Sequence, residues 1–260
     1  MRMGNPSVRR WVAKSQRNEL GTETESVTYK GVYGKSALLT FLTILFAIVT
    51  EFVMLWAIGN GYVGEALVAV GIATAVCAVP LIVIAIVIAF VPSAAKVLSV
   101  IYAILQGCLL GILALFVDIF YPGIAFAAFL GTAIVFLISL AVNRLLGVKI
   151  SSKFMRGLMI AFFSLIVLEL IVWLISLTGA FGDFSALWWI QLAVSAVCII
   201  WATITLAWDM QSVDYLVNAG ADKKYEWCVA FSLVTTLIYL YVEILELLMR
   251  LVMLFGNKKG

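Results

Sequence analysis

Long apolar runs separated by short polar stretches dominate the chain from residue 36 onward. The hydrocarbon core of a bilayer is about 30 Å thick, and an α-helix needs roughly 20 apolar residues to cross it. Each such helix satisfies its own backbone hydrogen bonds inside the bilayer. The pattern predicts seven membrane-spanning helices, at Ser36–Ile58, Glu65–Phe90, Ala94–Phe116, Gly123–Val142, Phe154–Leu177, Ala186–Trp208 and Trp227–Phe255.

The composition supports the same interpretation. Apolar residues make up 65% of the chain and charged residues 12%, whereas about a quarter of the residues in soluble domains are charged. We therefore expect an all-α integral membrane protein embedded in the lipid bilayer. The membrane domain is predicted over residues 35–256, after a cytosolic segment of residues 1–34 and before a short tail, residues 257–260. Because the N-terminal segment lacks the apolar core of a signal peptide, the first span is expected to direct insertion.

The positions of lysine and arginine predict the topology. If the N-terminus is cytoplasmic, nearly all of these residues fall in segments on the cytoplasmic side, and the loops after spans one, three and five contain none. Only Arg250, Lys258 and Lys259 fall toward the outer end. This asymmetry predicts a protein of the cell membrane with a cytoplasmic N-terminus and an extracytoplasmic C-terminus. The net charge of +3 reflects this topology and does not indicate a nucleic-acid partner.

Several kinds of chemistry are excluded. The chain contains no histidine, which removes imidazole metal ligands, Ser-His nucleophile systems and imidazole pH sensors. Walker A, dinucleotide-binding and zinc-protease motifs are absent as well. The last predicted span has no lysine to form the Schiff base of a retinal protein. We expect neither an enzyme nor a bound cofactor, and we expect the four cysteines to be buried small hydrophobic residues.

Acidic residues within the apolar spans are the main functional signal. Such a group must be paired, protonated or hydrated, so each one is a functional hypothesis. In the last span, Glu246 and Arg250 are four residues apart and are expected to neutralise each other. Glu243 lies on the same helical face without an evident local partner. The embedded acids are Glu51, Glu169, Asp209, Glu243 and Glu246.

Two interpretations of Glu243 remain open. It is either a protonated side chain hydrogen-bonded to a neighbouring helix, or a carboxylate that faces a water-filled cavity and titrates together with a second acid. For Glu51 and Glu169, structural and functional roles are equally plausible from the sequence. Gly107 and Gly111 form a small-xxx-small pattern, which predicts close packing of the third span against another helix.

Several segments of the chain carry a resemblance to a known family. The segment Trp208-Asp209-Met210-Gln211 resembles the aromatic-Asp-x-Gln signature of the Bax inhibitor-1 (transmembrane Bax inhibitor motif) family. The segment Leu240-Tyr241-Val242-Glu243-Ile244-Leu245 resembles the family's Leu-Tyr-Leu-Asp-Ile segment in the last helix. Residues 107–111 followed by residues 127–133 form a third match. Asn5-Pro6 and residues 218–227 are similar to the longer bacterial branch.

The resemblance implies a seven-helix bundle with the last helix near its centre, acting as a pH-sensitive calcium leak. It implies that Asp209 and Glu243 share a proton and gate the pore, with calcium passing near them. Asp214, Glu51 and Glu169 are candidate supporting acids, together with the Glu246 and Arg250 pair. Two residues depart from the family pattern: the acid of the last helix is Glu243 rather than Asp, and Gln106 stands where related sequences often have Glu.

The helical register determines whether Asp209 and Glu243 can meet. In a simple hairpin that turns near Ala221, the two residues would be offset by about 15 Å at 1.5 Å per residue. They would be level if helix six continued through Val217 and residues 218–232 formed a cytosolic excursion, which we predict. The leading functional hypothesis is a calcium leak channel. The alternatives are a proton-coupled transporter and a non-conducting regulator of other membrane proteins.

Overall fold

The computed structural model describes residues 8–13, 25–146, 149–177 and 188–256. Long helices account for most of these residues, and a single 3-10 turn, Pro92–Ala94, leads into the third. Residues 8–13 form a short N-terminal helical segment. The long helices are α1 (Tyr29–Gly59), α2 (Val63–Phe90), α3 (Ala95–Phe120), α4 (Ile124–Leu146), α5 (Ser152–Leu177), α6 (Trp188–Asn218) and α7 (Tyr225–Gly256).

Five stretches of the described residues are long and apolar enough to cross a membrane. The described part of α2 also contains a shorter apolar stretch, Val79–Phe90. An all-helical, multi-pass membrane protein is thus confirmed, while the number of seven spans stays a prediction. The five stretches are Tyr29–Gly59, Pro92–Phe120, Ile124–Asn143, Gln191–Asn218 and Tyr225–Phe255.

Local signals in the sequence explain where several helices begin and end. Thr28 precedes α1, and its hydroxyl accepts a hydrogen bond from the Gly31 amide at 3.0 Å. This side chain satisfies one of the amides that the first turn of a helix leaves unbonded. Gly123 and Gly220 follow α3 and α6 with φ of 87° and 60°, a conformation that glycine adopts without the steric cost of a Cβ.

The chain divides into two compact units. The described residues of the first unit fall within 126–211 and 236–256, and they include both Asp209 and Glu243. Those of the second unit fall within 8–125 and 212–235. Helices α6 and α7 therefore each contribute residues to both units.

In the second unit, α1 and α3 approach each other closely at two glycines. A Cβ atom built on Gly107 would lie 2.5 Å from the carbonyl oxygen of Thr43, and one built on Gly111 would overlap the carbonyl oxygen of Ala47. Because neither backbone can give way easily, only glycine allows the helices to come this close. The close packing predicted from the small-xxx-small pattern is confirmed.

Residues 25–28 attach the N-terminal part of the second unit to the connection between α6 and α7. The Val27 amide donates to the Ala221 carbonyl, and the Lys223 amide donates to the Glu25 carbonyl, both at 2.8 Å. The side chains of Lys223 and Glu25 also form an ion pair, which raises the pKa of the Lys223 ammonium. The chain thus pairs with a segment almost 200 positions away.

Glu226, in the first turn of α7, extends this attachment into the protein interior. Its side chain is 1% exposed. Its carboxylate accepts hydrogen bonds from the Thr28 amide at 2.9 Å and the Thr28 hydroxyl at 3.2 Å, and it forms an ion pair with Lys35. A Cβ on Gly31 would overlap this carboxylate. We call the contacts of residues 25–28 and Lys35 with the α6–α7 connection and Glu226 the N-terminal clamp.

Replacing Gly111 with alanine should destabilise the protein by about 1–3 kcal/mol, because the added methyl group overpacks a backbone contact. The measurement is the thermal unfolding midpoint of the detergent-solubilised protein. Gly34→Ala is the matched control, since a Cβ at Gly34 meets nothing within 4 Å. The control should be neutral or stabilising. Equal midpoints for the two variants would contradict the close approach of α1 and α3.

The contacts of the N-terminal clamp lead to a second prediction. Glu226→Gln should lower the unfolding midpoint by several degrees, because Lys35 keeps its charge and loses its partner; breaking a buried pair costs roughly 3–5 kcal/mol. Combining Glu226→Gln with Lys35→Met should recover part of the loss in a double-mutant cycle. Lys223→Gln with Glu25→Gln removes a pair that is largely solvent-exposed and should cause little change. Additive losses in the first cycle would argue against the clamp.

Candidate functional site

Helices α6 and α7 present polar residues to each other along the first unit. Spacings of three, four or seven residues keep each set on one helical face. The contacts described below connect the two sets, and we call them together the polar seam. Its members are Gln191, Ser195, Cys198 and Asp209 on α6, and Thr236, Tyr239, Glu243, Glu246 and Arg250 on α7.

Asp209 lies at one end of the polar seam. Its carboxylate accepts a hydrogen bond from the Thr236 hydroxyl at 2.7 Å. Both residues are buried, with 6% and 9% of their surfaces exposed. A hydrogen bond to a carboxylate is stronger than one between neutral groups, so Thr236 compensates part of the cost of burying this acid.

Glu243 lies further along α7 and has a partner that the sequence reasoning missed. The Tyr239 hydroxyl hydrogen-bonds with Glu243, one helical turn away, and with Cys198 on α6. A neutral phenol carries no charge that would mark it in the sequence as the partner of an acid. The spacing of four residues between Tyr239 and Glu243 could have identified the pair.

Arg250 closes the other end of the polar seam. It forms the expected ion pair with Glu246, four residues away on the same helix. Its guanidinium also donates to the Ser195 hydroxyl and to the backbone carbonyl of Gln191, both at 2.5 Å. The predicted neutralisation of Glu246 by Arg250 is confirmed, and two acceptors on α6 complete the contacts of the arginine.

The two acids of the predicted gate are offset along the helices. Thr236, which binds Asp209, precedes Glu243 by seven residues, or about 10 Å at 1.5 Å per residue. Helix α6 does continue through Val217, as predicted. The predicted excursion of residues 218–232 is wrong, because α7 already begins at Tyr225 and leaves a short connection. A simple hairpin therefore places Glu243 beyond Asp209 rather than level with it.

The direction of the side chains reduces this offset. In a helix, side chains tilt toward the N-terminus. Since α6 and α7 run antiparallel, as the contacts at Asp209 and at Arg250 show, the carboxylates of Asp209 and Glu243 lean toward each other. Thr236 and Tyr239 precede Glu243 on α7, and their hydroxyls bind Asp209 and Glu243, respectively.

Two buried polar atoms lie at depths between those of Asp209 and Glu243. Among the described side chains, Ser139 Oγ and Trp201 Nε1 are the buried polar atoms without a hydrogen-bond partner. The Trp201 ring is edge-on to Tyr239, with the ring centroids 5.4 Å apart. Unpartnered polar atoms are rare in protein interiors. Both Ser139 and Trp201 belong to the first unit.

The depth of Ser139 follows from two contacts of α4. A Cβ on Gly131 would lie 3.3 Å from Ile244, and the Ile150 amide donates to the Gln211 side chain at 3.2 Å. These contacts show that α4 runs antiparallel to α7. Ser139 lies eight residues after Gly131, which brings it to about the depth of Thr236.

The other predicted acids lie elsewhere. Asp214 belongs to the second unit, where it hydrogen-bonds with Tyr29. Glu51 also belongs to the second unit and is half-buried, with Asp118 as the acid that interacts with it. The side chain of Glu169 lies outside the described residues. Neither Asp214 nor Glu51 is a member of the polar seam.

The described residues contain no group of three or more Cys, Asp or Glu side chains that could hold a metal ion. Calcium ordinarily takes six to eight oxygen ligands. A calcium ion near Asp209 or Glu243 would therefore have to keep much of its hydration shell or use hydroxyl and carbonyl oxygens.

Comparison with known proteins identifies one family. A family model described as Bax inhibitor 1 like matches residues 5–253. The match covers the whole polar seam, including Asp209 and Glu243. No curated protein and no solved structure matches the chain.

Replacing Thr236 with valine should destabilise the protein by about 1–2 kcal/mol, because Asp209 loses a buried donor. Thr203→Val is the control: the Thr203 hydroxyl donates to the Ile199 carbonyl within its own helix, and its loss should cost little. Thermal unfolding of both variants in detergent tests the difference. If Thr203→Val were as destabilising as Thr236→Val, the hydrogen bond from Thr236 to Asp209 would contribute no more to stability than a hydrogen bond within one helix.

Proposed function

Because the chain belongs to the Bax inhibitor 1-like family, we propose that this multi-pass membrane protein is a pH-sensitive calcium leak channel gated by Asp209 and Glu243. Members of this family are membrane channels or regulators rather than enzymes. The observation that carries the proposal is the polar seam. Two acids, each bound to a hydroxyl group, follow one another between helices that are otherwise apolar.

The gate in this proposal responds to the charge of the two acids. When Asp209 and Glu243 are protonated or hydrogen-bonded, α6 and α7 stay together and the seam is closed. When both acids lose their protons, repulsion between them favours separation of the helices. The Thr236 and Tyr239 hydroxyls provide intermediate positions through which the offset acids can share a proton. The pair would then titrate as one coupled system.

Calcium fits the ligands that line the seam. Carboxylate, hydroxyl and carbonyl oxygens are the groups that bind this ion, and the chain has no histidine to favour softer metals. Ser139 Oγ and Trp201 Nε1 have no partner among the described side chains. They can hydrogen-bond with the hydration shell of an ion that moves between the depths of Asp209 and Glu243.

Arg250 and Glu246 form the outer constriction of the seam in this proposal. The positive guanidinium repels an approaching cation, and Glu246 reduces that barrier by neutralising it. In the proposed topology the N-terminus is cytoplasmic, so the Asp209 end of the seam faces the cytoplasm and the Arg250 end faces outward. The protein would then conduct calcium across the cell membrane.

Calcium flux into proteoliposomes between pH 6 and pH 8 tests the gate. Wild-type flux should rise with pH as the seam acids lose their protons, by up to about tenfold per pH unit. Asp209→Asn and Glu243→Gln should each flatten this dependence. Glu51→Gln is the matched control, because it neutralises another half-buried acid outside the seam. It should keep the wild-type profile.

Other outcomes would reject parts of the proposal. Equal, pH-independent flux in the wild type and both seam variants would rule out gating by Asp209 and Glu243. Absence of flux from correctly folded protein would favour a non-conducting regulator. Flux that requires a pH gradient, and stops when a protonophore collapses it, would identify a proton-coupled transporter.

A further inference from the structure

Exposed basic side chains surround the end of the second unit where α1, α3 and α7 begin. None of them forms an ion pair with any residue that the structure describes. We call this group the basic collar. Its members are Arg9, Arg10, Lys30 and Lys96, all of them exposed.

Contacts within the second unit place the collar residues at one end. The Cys228 thiol lies 3.9 Å from the Pro92 carbonyl, which brings the start of α3 beside the start of α7. Trp11 stacks on Tyr225 with the ring centroids 5.2 Å apart, which attaches the N-terminal helical segment at the same place. The N-terminal clamp attaches the start of α1 there as well.

The acids at this end are already engaged with other groups. Ion pairs join Glu25 to Lys223, Asp222 to Lys224 and Glu226 to Lys35. The hydrogen bond with the Asp222 carboxylate also raises the pKa of the Lys224 ammonium. A further acid near this end, Asp214, hydrogen-bonds with Tyr29. None of the collar cations forms an ion pair with a described residue, and all of them are exposed.

The N-terminal helical segment presents its two arginines in a fixed orientation. Val8 and Val12 are buried, with 3% and 6% of their surfaces exposed, whereas Arg9 and Arg10 are exposed. Trp11 holds the segment against Tyr225. Because the backbone is already ordered, a ligand that binds the arginines pays little additional entropy for ordering it.

The collar lies at the ends of apolar, membrane-spanning helices. The ends of such helices lie at the interface between hydrocarbon and water, at the level of the lipid headgroups. We propose that the basic collar binds the phosphate headgroups of anionic phospholipids. Arginine suits this role because its planar fork of donors matches phosphate oxygens. Each basic side chain near an anionic membrane surface strengthens attachment by roughly fivefold.

Native mass spectrometry of the intact protein can test this site. The protein is released from micelles that contain equal amounts of phosphatidylglycerol and phosphatidylcholine, and the lipids that remain bound are identified. Wild-type protein should retain phosphatidylglycerol preferentially. The variant Arg9→Gln, Arg10→Gln, Lys30→Gln should reduce that preference by at least about fivefold. Since these side chains are exposed, the variant should fold, which size-exclusion chromatography and circular dichroism verify.

A second triple variant removes the same charge elsewhere. Lys149, Lys153 and Arg156 are exposed residues of the first unit, and changing all three to glutamine should leave the preference close to that of the wild type. If this variant lost as much phosphatidylglycerol as the collar variant, net charge rather than the collar would explain binding. A wild-type protein with no preference between the two lipids would overturn the proposal outright. The result does not depend on whether the protein conducts calcium.

Discussion

A charged or polar group surrounded by hydrocarbon and protein has no water to bind, so it must find its partners within the chain. In this protein that requirement governs the arrangement of α6 and α7. Asp209 binds Thr236, Glu243 binds Tyr239, and Arg250 binds Glu246, Ser195 and the backbone of Gln191. Polar groups of the two helices thus contact one another at several depths along the first unit.

The same requirement acts at the start of α7. Glu226 is almost completely buried, and Lys35 and Thr28 satisfy its carboxylate. One helix therefore begins with an acid that anchors it to the N-terminal part of the chain and carries another acid in its middle. The first acid is satisfied by a full charge, which holds it firmly. Glu243, by contrast, hydrogen-bonds with the neutral phenol of Tyr239.

Sequence patterns predicted the features that depend on neighbouring positions. The apolar runs placed the long helices, the spacing of Glu246 and Arg250 predicted their ion pair, and two glycines predicted a close helix contact. The contacts of Glu226 were not predictable in this way, because its partners lie almost 200 positions away and leave no periodic signal. The predicted excursion of residues 218–232 was wrong because the helix already begins at Tyr225. Asp209 and Glu243 are therefore offset along the helices, while their roles in gating stay predictions.

The partners of the embedded ionisable groups also bear on the order in which the chain can assemble. Glu246 and Arg250 are four residues apart on one helix, as are Tyr239 and Glu243, so each pair can form as soon as α7 is helical. These groups can enter the membrane already neutralised or hydrogen-bonded. Asp209 differs, because its hydroxyl donor Thr236 belongs to the helix that is synthesised next. Asp209 therefore gains the Thr236 hydroxyl only after α7 has been synthesised and has packed against α6.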